Sequence, residues 1–330
     1  MINQKRIRFI RNAALYSTIA AVVLSVPIFT QSAYILHLLV LTGIYLMLAQ
    51  SFNLLLGYVG YLSLAQTAFF GIGAYTSTIL AVTYKQSFWI GLVLAILIPA
   101  VIAAAVGIPF LRLSRHSFVI STLGFLVICW LIARNWVEVT RGPLGIPGIP
   151  SPTLNLFNQL SISFASRTNY YVLTMVFALI LHLLLIKLVG SRIGRAFIAI
   201  REDEALAQAV GINTMKYKLL AFTISAGMAG IAGSLFAHYI TFLDPTVFEF
   251  YTLEHVLVIT LVGGSGTIGG PILGSIVFTV LPEILRAAKE FRLIIYGFIL
   301  LFTVLLMPEG IGGKFKAYMH KRRIKEVYAK

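Results

Sequence analysis

Acidic residues are scarce in this chain: 11 Asp and Glu stand against 26 Lys and Arg in 330 residues. Charge of either sign is thin, at 11% of residues, where soluble domains carry roughly 25%. A water-soluble fold of this length needs a large polar skin, so the shortage excludes one, and the 59% hydrophobic content points the same way. Cysteine is nearly absent. Cys129 stands alone inside an apolar run, which excludes a disulfide framework and a cysteine metal site. His37, His182, His238 and His255 show no paired ligand spacing and read as packed or pore-lining side chains. A phosphate-cradling P-loop is missing as well. The only Gly-Lys pair, Gly313-Lys314, has Pro308 where the first glycine is needed and Phe315 after the lysine.

What the chain has instead is length in its apolar runs. A helix crossing a hydrocarbon layer of about 30 Å needs roughly 20 residues at about 1.5 Å each. Runs at Ala13 to Thr30, Tyr34 to Leu56, Gln66 to Thr83, Phe88 to Leu111, Ser117 to Trp136, Asn169 to Leu188, Leu219 to Phe242 and Leu293 to Met307 meet or approach that length. They predict an all-α polytopic membrane protein with about 8–10 transmembrane helices. Outer-membrane barrel strands need only about 9–11 alternating residues and do not account for such runs. Lys5, Arg6, Arg8 and Arg11 before the first run imitate a secretory signal, but further spans follow at once, so that run is read as a span.

A net charge of +15 suggests nucleic acid in a soluble protein, so the placement of the charges decides. Lys5 to Arg11, Arg112 with Arg115, Lys187 to Lys218 and Lys314 to Lys330 hold 19 of the 26 basic residues. Cytoplasmic loops concentrate Lys and Arg, so these clusters are expected inside, with both termini cytoplasmic and no nucleic-acid partner. Glu138, Asp244, Glu249 and Glu254 then fall outside. The expected organisation is a basic N-terminus 1–12, a transmembrane domain 13–307 with a cytoplasmic loop 189–217, and a basic tail 308–330.

That topology requires Leu253 to Glu283 to cross twice or not at all. About 30 residues are too few for two full crossings, so two half-helices meeting at Gly263 to Gly270 are expected. Glycine-interrupted backbone is tolerated at membrane depth only against protein or a water-filled cavity. Gly57, Gly60, Gly71 and Gly73 form a comparable interruption in the other half of the chain. Paired interruptions point to an internally repeated transporter with its pathway at the breaks; close helix packing is the other reading, and spacing leaves both open. Ala226, Gly230 and Ser234, four residues apart, read as small-residue packing.

Ser191 to Asn213 is polar enough to lie outside the membrane, yet it is patterned. Phe197, Ile200, Leu206 and Val210 predict the apolar stripe of one short helix, flanked by Arg195, Arg201, Glu202, Asp203 and Glu204 and ended by Gly211. Such a helix lies on lipid or docks into a partner. The consecutive acids Glu202, Asp203 and Glu204 argue against anionic lipid and favour a protein.

This segment resembles the cytoplasmic coupling loop of binding-protein-dependent ATP-binding-cassette permeases of the branched-chain amino-acid (LivM-like) family. Gly194-Arg195-Ala196, Ala199-Ile200-Arg201-Glu202-x-Glu204 and Gly211-Ile212 carry the likeness. Gly57-Tyr58-x-Gly60-x-Leu62-Ser63-Leu64 with Phe69 and Gly71-x-Gly73-Ala74-Tyr75 resembles the family's first block. Gly263-Gly264-x-Gly266-Thr267-x-x-Gly270-Pro271-x-x-Gly274 is similar to its second, and Pro308-Glu309-Gly310 to the end of its last span. The resemblance implies an internally repeated importer-permease fold. It implies coupling residues at Gly194, Arg195, Arg201, Glu202, Asp203, Glu204 and Gly211. A pathway near Gly60, Ser63, Gln66, Gly71, Gly73, Gly263, Gly264, Ser265, Gly266 and Thr267 follows from it too. So do the partners: a second homologous permease, two ATP-binding subunits that use the ATP, and a substrate-binding protein, with no cofactor on this chain. Branched-chain or other neutral amino acids are the implied cargo, with urea or short amides as the alternative. Two departures stand out. Leu206 takes the place of the first Ala of an Ala-Ala pair, and Ala65-Gln66 replaces a common Gly-His near the expected pathway, which leaves the exact substrate open.

Gly264-Ser265-Gly266-Thr267-Ile268-Gly269 spells the dinucleotide fingerprint, but that motif needs a strand before it and an acid about 20 residues on, and Pro271 follows instead. Gly263-x-Ser265-Gly266 resembles an intramembrane serine-protease motif, which requires a histidine base on a later span; only His320, in the basic tail, comes after it. An ion-driven transporter or channel is the remaining alternative. It is expected to bury ionisable groups in its spans, and few are there: Arg134 is near a span end, and Glu254 and His255 are at the start of the broken segment.

Overall fold

The computed structural model of the protein describes residues 25–27, 32–156, 160–284, 297–298 and 301. The expected spans Ala13 to Thr30 and Leu293 to Met307, and the basic segments 1–12 and 308–330, otherwise lie outside the described residues. Five described helical stretches are long and apolar enough to cross a membrane: Ala33–Val59, Phe88–Phe110, Arg115–Asn135, Arg167–Gly190 and Thr214–Ile240. The protein is an all-α, multi-pass membrane protein.

In chain order, α1 (Ala33–Asn53) continues as a π-helical turn, Leu54–Val59, and is followed by α2 (Gln66–Val82), α3 (Phe88–Phe110), α4 (Arg115–Asn135) and the single turn α5 (Val137–Thr140). Next come α6 (Arg167–Gly190), α7 (Arg192–Glu202), α8 (Glu204–Ala209), α9 (Thr214–Ile240), α10 (Phe250–Gly264) and α11 (Gly270–Ile284). Starts are set by side-chain caps. Ser87, Ser114, Ser166, Ser191 and Asn213 each accept a hydrogen bond from a first-turn N–H that has no partner inside its helix.

Helix α9 is the hub. Its buried Ala226, Gly227, Ala229, Gly230, Ala232, Gly233 and Ser234 let α2 and α3 approach until backbones touch. A Cβ on Gly230 would stand 1.9 Å from the Ala95 carbonyl oxygen, and one on Gly233 1.9 Å from that of Phe70. Lipid gives helices no hydrophobic reason to associate, so close small-residue packing and interhelical hydrogen bonds hold them. Ser234 Oγ donates to Ser77 Oγ at 2.8 Å, Ser77 Oγ lies 2.8 Å from His238 Nε2, and His238 Nδ1 lies 2.7 Å from the Pro150 carbonyl, tying α9 to α2 and to the loop after α5. Helix α1 packs on α6, where Gly43 meets Thr174 and Met175 and Gln50 bonds His182 at 2.8 Å.

Leu253 to Glu283 divides as expected. Helix α10, which leads through the break into α11, has 15 residues, so at about 22 Å it falls short of the roughly 30 Å hydrocarbon layer. The two helices fold back on each other through glycines: a Cβ on Gly274 would lie 2.1 Å from the Ile259 oxygen, and one on Gly263 2.2 Å from that of Gly270. A helix, not a strand, leads into Gly264–Gly269, which removes the dinucleotide reading.

One expectation is corrected. Ser191 to Asn213 is not one helix with one stripe: Asp203 adopts an extended backbone and its side chain caps α8 at Leu206, so the chain breaks into α7 and α8. Phe197 and Ile200 are therefore buried while Leu206 and Val210 are exposed. The helix after the loop begins at Thr214, capped by Asn213, and Lys218 is a buried residue of α9. The connection between α4 and α6 also carries short strands. Here β1 (Ile146–Pro147) pairs with β4 (Phe242–Leu243), and β2 (Thr153–Leu156) with β3 (Leu160–Ser163), all antiparallel.

Candidate functional site

The two glycine blocks and the polar segment after α6, far apart in sequence, meet at the end of the bundle that carries Arg115, Arg195 and Arg201. The first connection is Asn53, the last residue of α1. Its Oδ1 accepts from the Gly266 N–H at 2.8 Å and its Nδ2 donates to the Thr267 carbonyl at 2.9 Å, so one side-chain amide pairs with the break between α10 and α11 as a strand would. Thr267 closes the break itself: its hydroxyl donates to the Gly264 carbonyl at 2.8 Å and accepts from the Gly270 N–H at 3.0 Å, joining the end of one half-helix to the start of the next.

Arg201 is the second connection. It stands at the end of α7, where its Nη1 donates to the Gly57 carbonyl at 2.7 Å and its Nη2 pairs with Glu202 at 2.5 Å. Its side chain fills the space over both breaks. A Cβ on Gly60 would come within 2.9 Å of Arg201 Cγ, and one on Gly266 within 2.7 Å of Nη1. Gly60 ends the π-helical turn with φ of 81°, a left-handed conformation costly for any residue with a Cβ. Arg115, on α4, reaches the same place and donates to the Ile200 carbonyl at 3.2 Å.

The third connection is a charge cluster. Lys218 Nζ donates to Glu204 Oε1 at 2.5 Å, to the Tyr61 hydroxyl at 3.1 Å and to the Leu111 carbonyl at 3.3 Å, while Tyr61 donates to Glu204 Oε2 at 2.7 Å. Partial burial pushes the Glu204 carboxyl up, and the hydrogen bonds from Lys218 and Tyr61 outweigh it, holding the group below its ordinary value of 4.5. A depressed carboxyl stabilises the fold above its ordinary range, and the contribution is lost as pH falls through the lowered value. The joint is therefore expected to stay intact at pH 5 and to loosen only under stronger acid. Lys218→Met is expected to lower stability by about 1–2 kcal/mol, because it removes the charged donor of a partly exposed carboxylate that keeps the Tyr61 hydrogen bond, and Glu204→Gln added to it should restore part of the loss. Thermal unfolding of the purified protein reads both, and a double variant no more stable than Lys218→Met alone would show that the pair is not coupled.

The remaining expected site residues divide by surroundings. Gly194 is steric: a Cβ there would lie 2.1 Å from the Val189 carbonyl oxygen, in the turn from α6 to α7. Arg195, Glu202 and Asp203 are exposed. Gly211, with φ of 86°, closes α8: its N–H bonds Gln208 and that of Ile212 bonds Ala207. Ser63 and Gln66 are buried, and Gln66 Nε2 donates to Ser225 Oγ at 3.1 Å across to α9. Gly73 lies against Gly230, and Gly71 under the Phe248 ring. Gly263 and Gly264 are buried between the half-helices, Gly266 and Thr267 are half-buried, and Ser265 is exposed at the tip of the break. Asn53, Tyr61 and Lys218 were not anticipated. Each is polar at the edge of an apolar helix, and that is the signal that could have found them. No cluster of three metal-ligating side chains occurs among the described residues.

A family described as "Branched-chain amino acid transport system / permease component" matches residues 34–304. The chain is 34% identical over 289 residues to the high-affinity branched-chain amino acid transport system permease protein LivM of Escherichia coli strain K12, covering 82% of this chain and 68% of that one. It is 25% identical over 282 residues to the corresponding protein LivH of Salmonella typhimurium, covering 82% and 91%. The autoinducer 2 import system permease protein LsrC of Salmonella paratyphi B is 27% identical over 220 residues, covering 64% and 59%. No solved structure matches.

Proposed function

The chain belongs to the branched-chain amino acid transport system permease family, and from there we propose that it is the membrane-spanning permease subunit of an ATP-binding-cassette importer for branched-chain or other neutral amino acids. The observation that carries the reading is the joint at Arg201. It connects an exposed short helix, α8, to both breaks in the membrane domain, which is the mechanical link an externally powered permease needs.

In this reading the end bearing Arg195 and Arg201 faces the cytoplasm of a bacterial cell, the chain sits in the inner membrane, and both termini are cytoplasmic. An ATP-binding subunit grips α8, and its closure with a second such subunit pulls α7 and Arg201 against Gly57 and Gly266. The breaks between α1 and α2 and between α10 and α11 then shift together, because Asn53 joins them. ATP is bound and hydrolysed by the partners and this chain carries no cofactor. A homologous permease completes the pathway, and a binding protein delivers the amino acid to the opposite end.

A relative named for autoinducer 2 rather than for an amino acid favours a wider cargo range as the second reading, and urea or short amides belong to it. Co-expression with a homologous permease, two ATP-binding subunits and a binding protein is expected to give ATP-dependent uptake of leucine, competed by neutral amino acids. Competition dominated by urea would move the cargo to the second reading. Transport by the purified chain alone, down a proton gradient, would make it a secondary transporter.

A further inference from the structure

Helix α10 starts inside the bundle and not at its end. Tyr45 lies about 18 Å into α1, close to the middle of the Ala33–Val59 stretch, and its ring meets that of His255 edge to face at 4.6 Å. Further on, Thr260 Oγ1 lies 3.4 Å from the Ala49 carbonyl oxygen and Asn53 bonds Gly266, so α10 runs beside the second half of α1 in the same direction. His255 stands only about 8 Å into α10, which places the start of that half-helix about 10 Å deeper than the start of α1. Phe248 reports the same depth independently: it stacks on Tyr75, about 10 Å short of the end of α2.

At that depth three kinds of polar group stand without partners. The N–H groups of Phe250 and Tyr251 open α10 unbonded among the described residues, and the Glu249 side chain does not cap them. Glu254 is half-buried next to His255, in an exposed stripe with Phe250 and Leu257, and neither ion pair of the described residues includes it. His255 is 7% exposed, and its ring has no hydrogen-bond partner among the described residues. Side chains of a helix lean toward its N-terminus, so Glu254 and His255 both lean over the unbonded first turn, and His255 stacks there on the exposed Tyr251 at 6.2 Å. A carboxylate near the middle of a membrane span does not face lipid; it faces water or a charged partner, and such residues mark pathways. A half-helix N-terminus opening at the same level adds a partial positive charge.

We propose that the start of α10 is a binding site for the zwitterionic end of the transported amino acid. The Phe250 and Tyr251 N–H groups donate to its carboxylate, Glu254 accepts from its ammonium, and His255 offers a second polar contact from below. A proton or a metal cation would use Glu254 but not the unbonded N–H groups, and a simple anion would use only the N–H groups. An α-amino acid carries both charges on one carbon and uses both. Phe250, 67% exposed, gives the apolar side chain a surface beside them. The proposal rests on the function proposed above.

The test is leucine uptake by cells expressing the whole importer, with the membrane abundance and co-purification of both permeases measured alongside. Glu254→Gln keeps the size and removes the charge, and it is expected to lower the maximal rate at least about tenfold while both permeases still co-purify. Glu254→Asp keeps the charge and should recover part of that rate. Water access is read separately. In a Cys129→Ala chain, Tyr251→Cys should react with a charged, membrane-impermeant methanethiosulfonate, and leucine supplied with binding protein and ATP should slow the reaction. If Glu254→Gln does not reach the membrane, that labelling and its protection decide alone. Normal uptake by Glu254→Gln, loss of the second permease from it, or Tyr251→Cys that stays unlabelled or is labelled equally with and without leucine would make Glu254 an interface or packing group and overturn the inference. A wild-type importer that does not move leucine would instead overturn the function on which it rests.

Discussion

Gly57→Ala is expected to cut transport by about 10- to 100-fold while the protein still reaches the membrane and its ATP-binding partners still hydrolyse ATP. The geometry leaves no room for even one methyl group. A Cβ at position 57 would lie 2.2 Å from Asn53 Oδ1 and 2.2 Å from the Gly266 nitrogen. Neither can retreat alone, since Asn53 Oδ1 is the acceptor that holds the Gly266 N–H. The chain must therefore open the contact between the two breaks and tilt the Gly57 carbonyl away from Arg201. Asn53→Ala is the milder comparator: it removes two hydrogen bonds without forcing the backbones apart, and its loss should be several-fold smaller. Leucine uptake, membrane abundance and ATPase activity of the whole importer check the pair. Normal uptake in Gly57→Ala would mean that the two breaks move independently and that the joint is ordinary packing.

Much of this arrangement is legible in the sequence because lipid imposes strong rules. Run length placed the five long helices among the described residues, and glycine content located both breaks, including the fold-back of α10 and α11. What spacing could not decide was the use of each glycine. Gly57, Gly60 and Gly266 meet at the joint, whereas Gly73 is covered by Gly230 of α9, and the two kinds look alike in sequence. Gln66 and Ser63, expected near a pathway, are both buried, and Gln66 bridges to Ser225 on another helix, a partner that no local spacing records. Lys218 was counted among the cytoplasmic charges because a lysine at a span edge normally reaches water; its three acceptors come from three other segments, and no local pattern contains them. The single-helix expectation for Ser191 to Asn213 failed because periodicity records apolar spacing but not the capping preference of Asp203.

That break at Asp203 sharpens the second large effect, expected for Leu206→Asp. Helix α8 is held on one side, by Ala207 beneath it and Glu204 bonded to Lys218 and Tyr61, while Leu206 and Val210 are 62% and 69% exposed. Two apolar side chains at the water-facing end contribute little to this chain's own stability, so a charge placed there should leave folding intact. Buried in a partner's apolar groove, the same unpaired carboxylate should cost at least about 2 kcal/mol, or about 30-fold in affinity. Leu206→Asp should therefore lose the ATP-binding subunit on purification and lose uptake with it. Gly211→Ala should act differently, because its left-handed backbone opposes a Cβ by about 1–2 kcal/mol and the turn that aims α8 would relax. It should keep the partner yet hydrolyse ATP with reduced uptake. Wild-type recovery of the ATP-binding subunit with both Leu206→Asp and Val210→Asp would rule out α8 as the docking element and leave Arg201 without a lever to transmit.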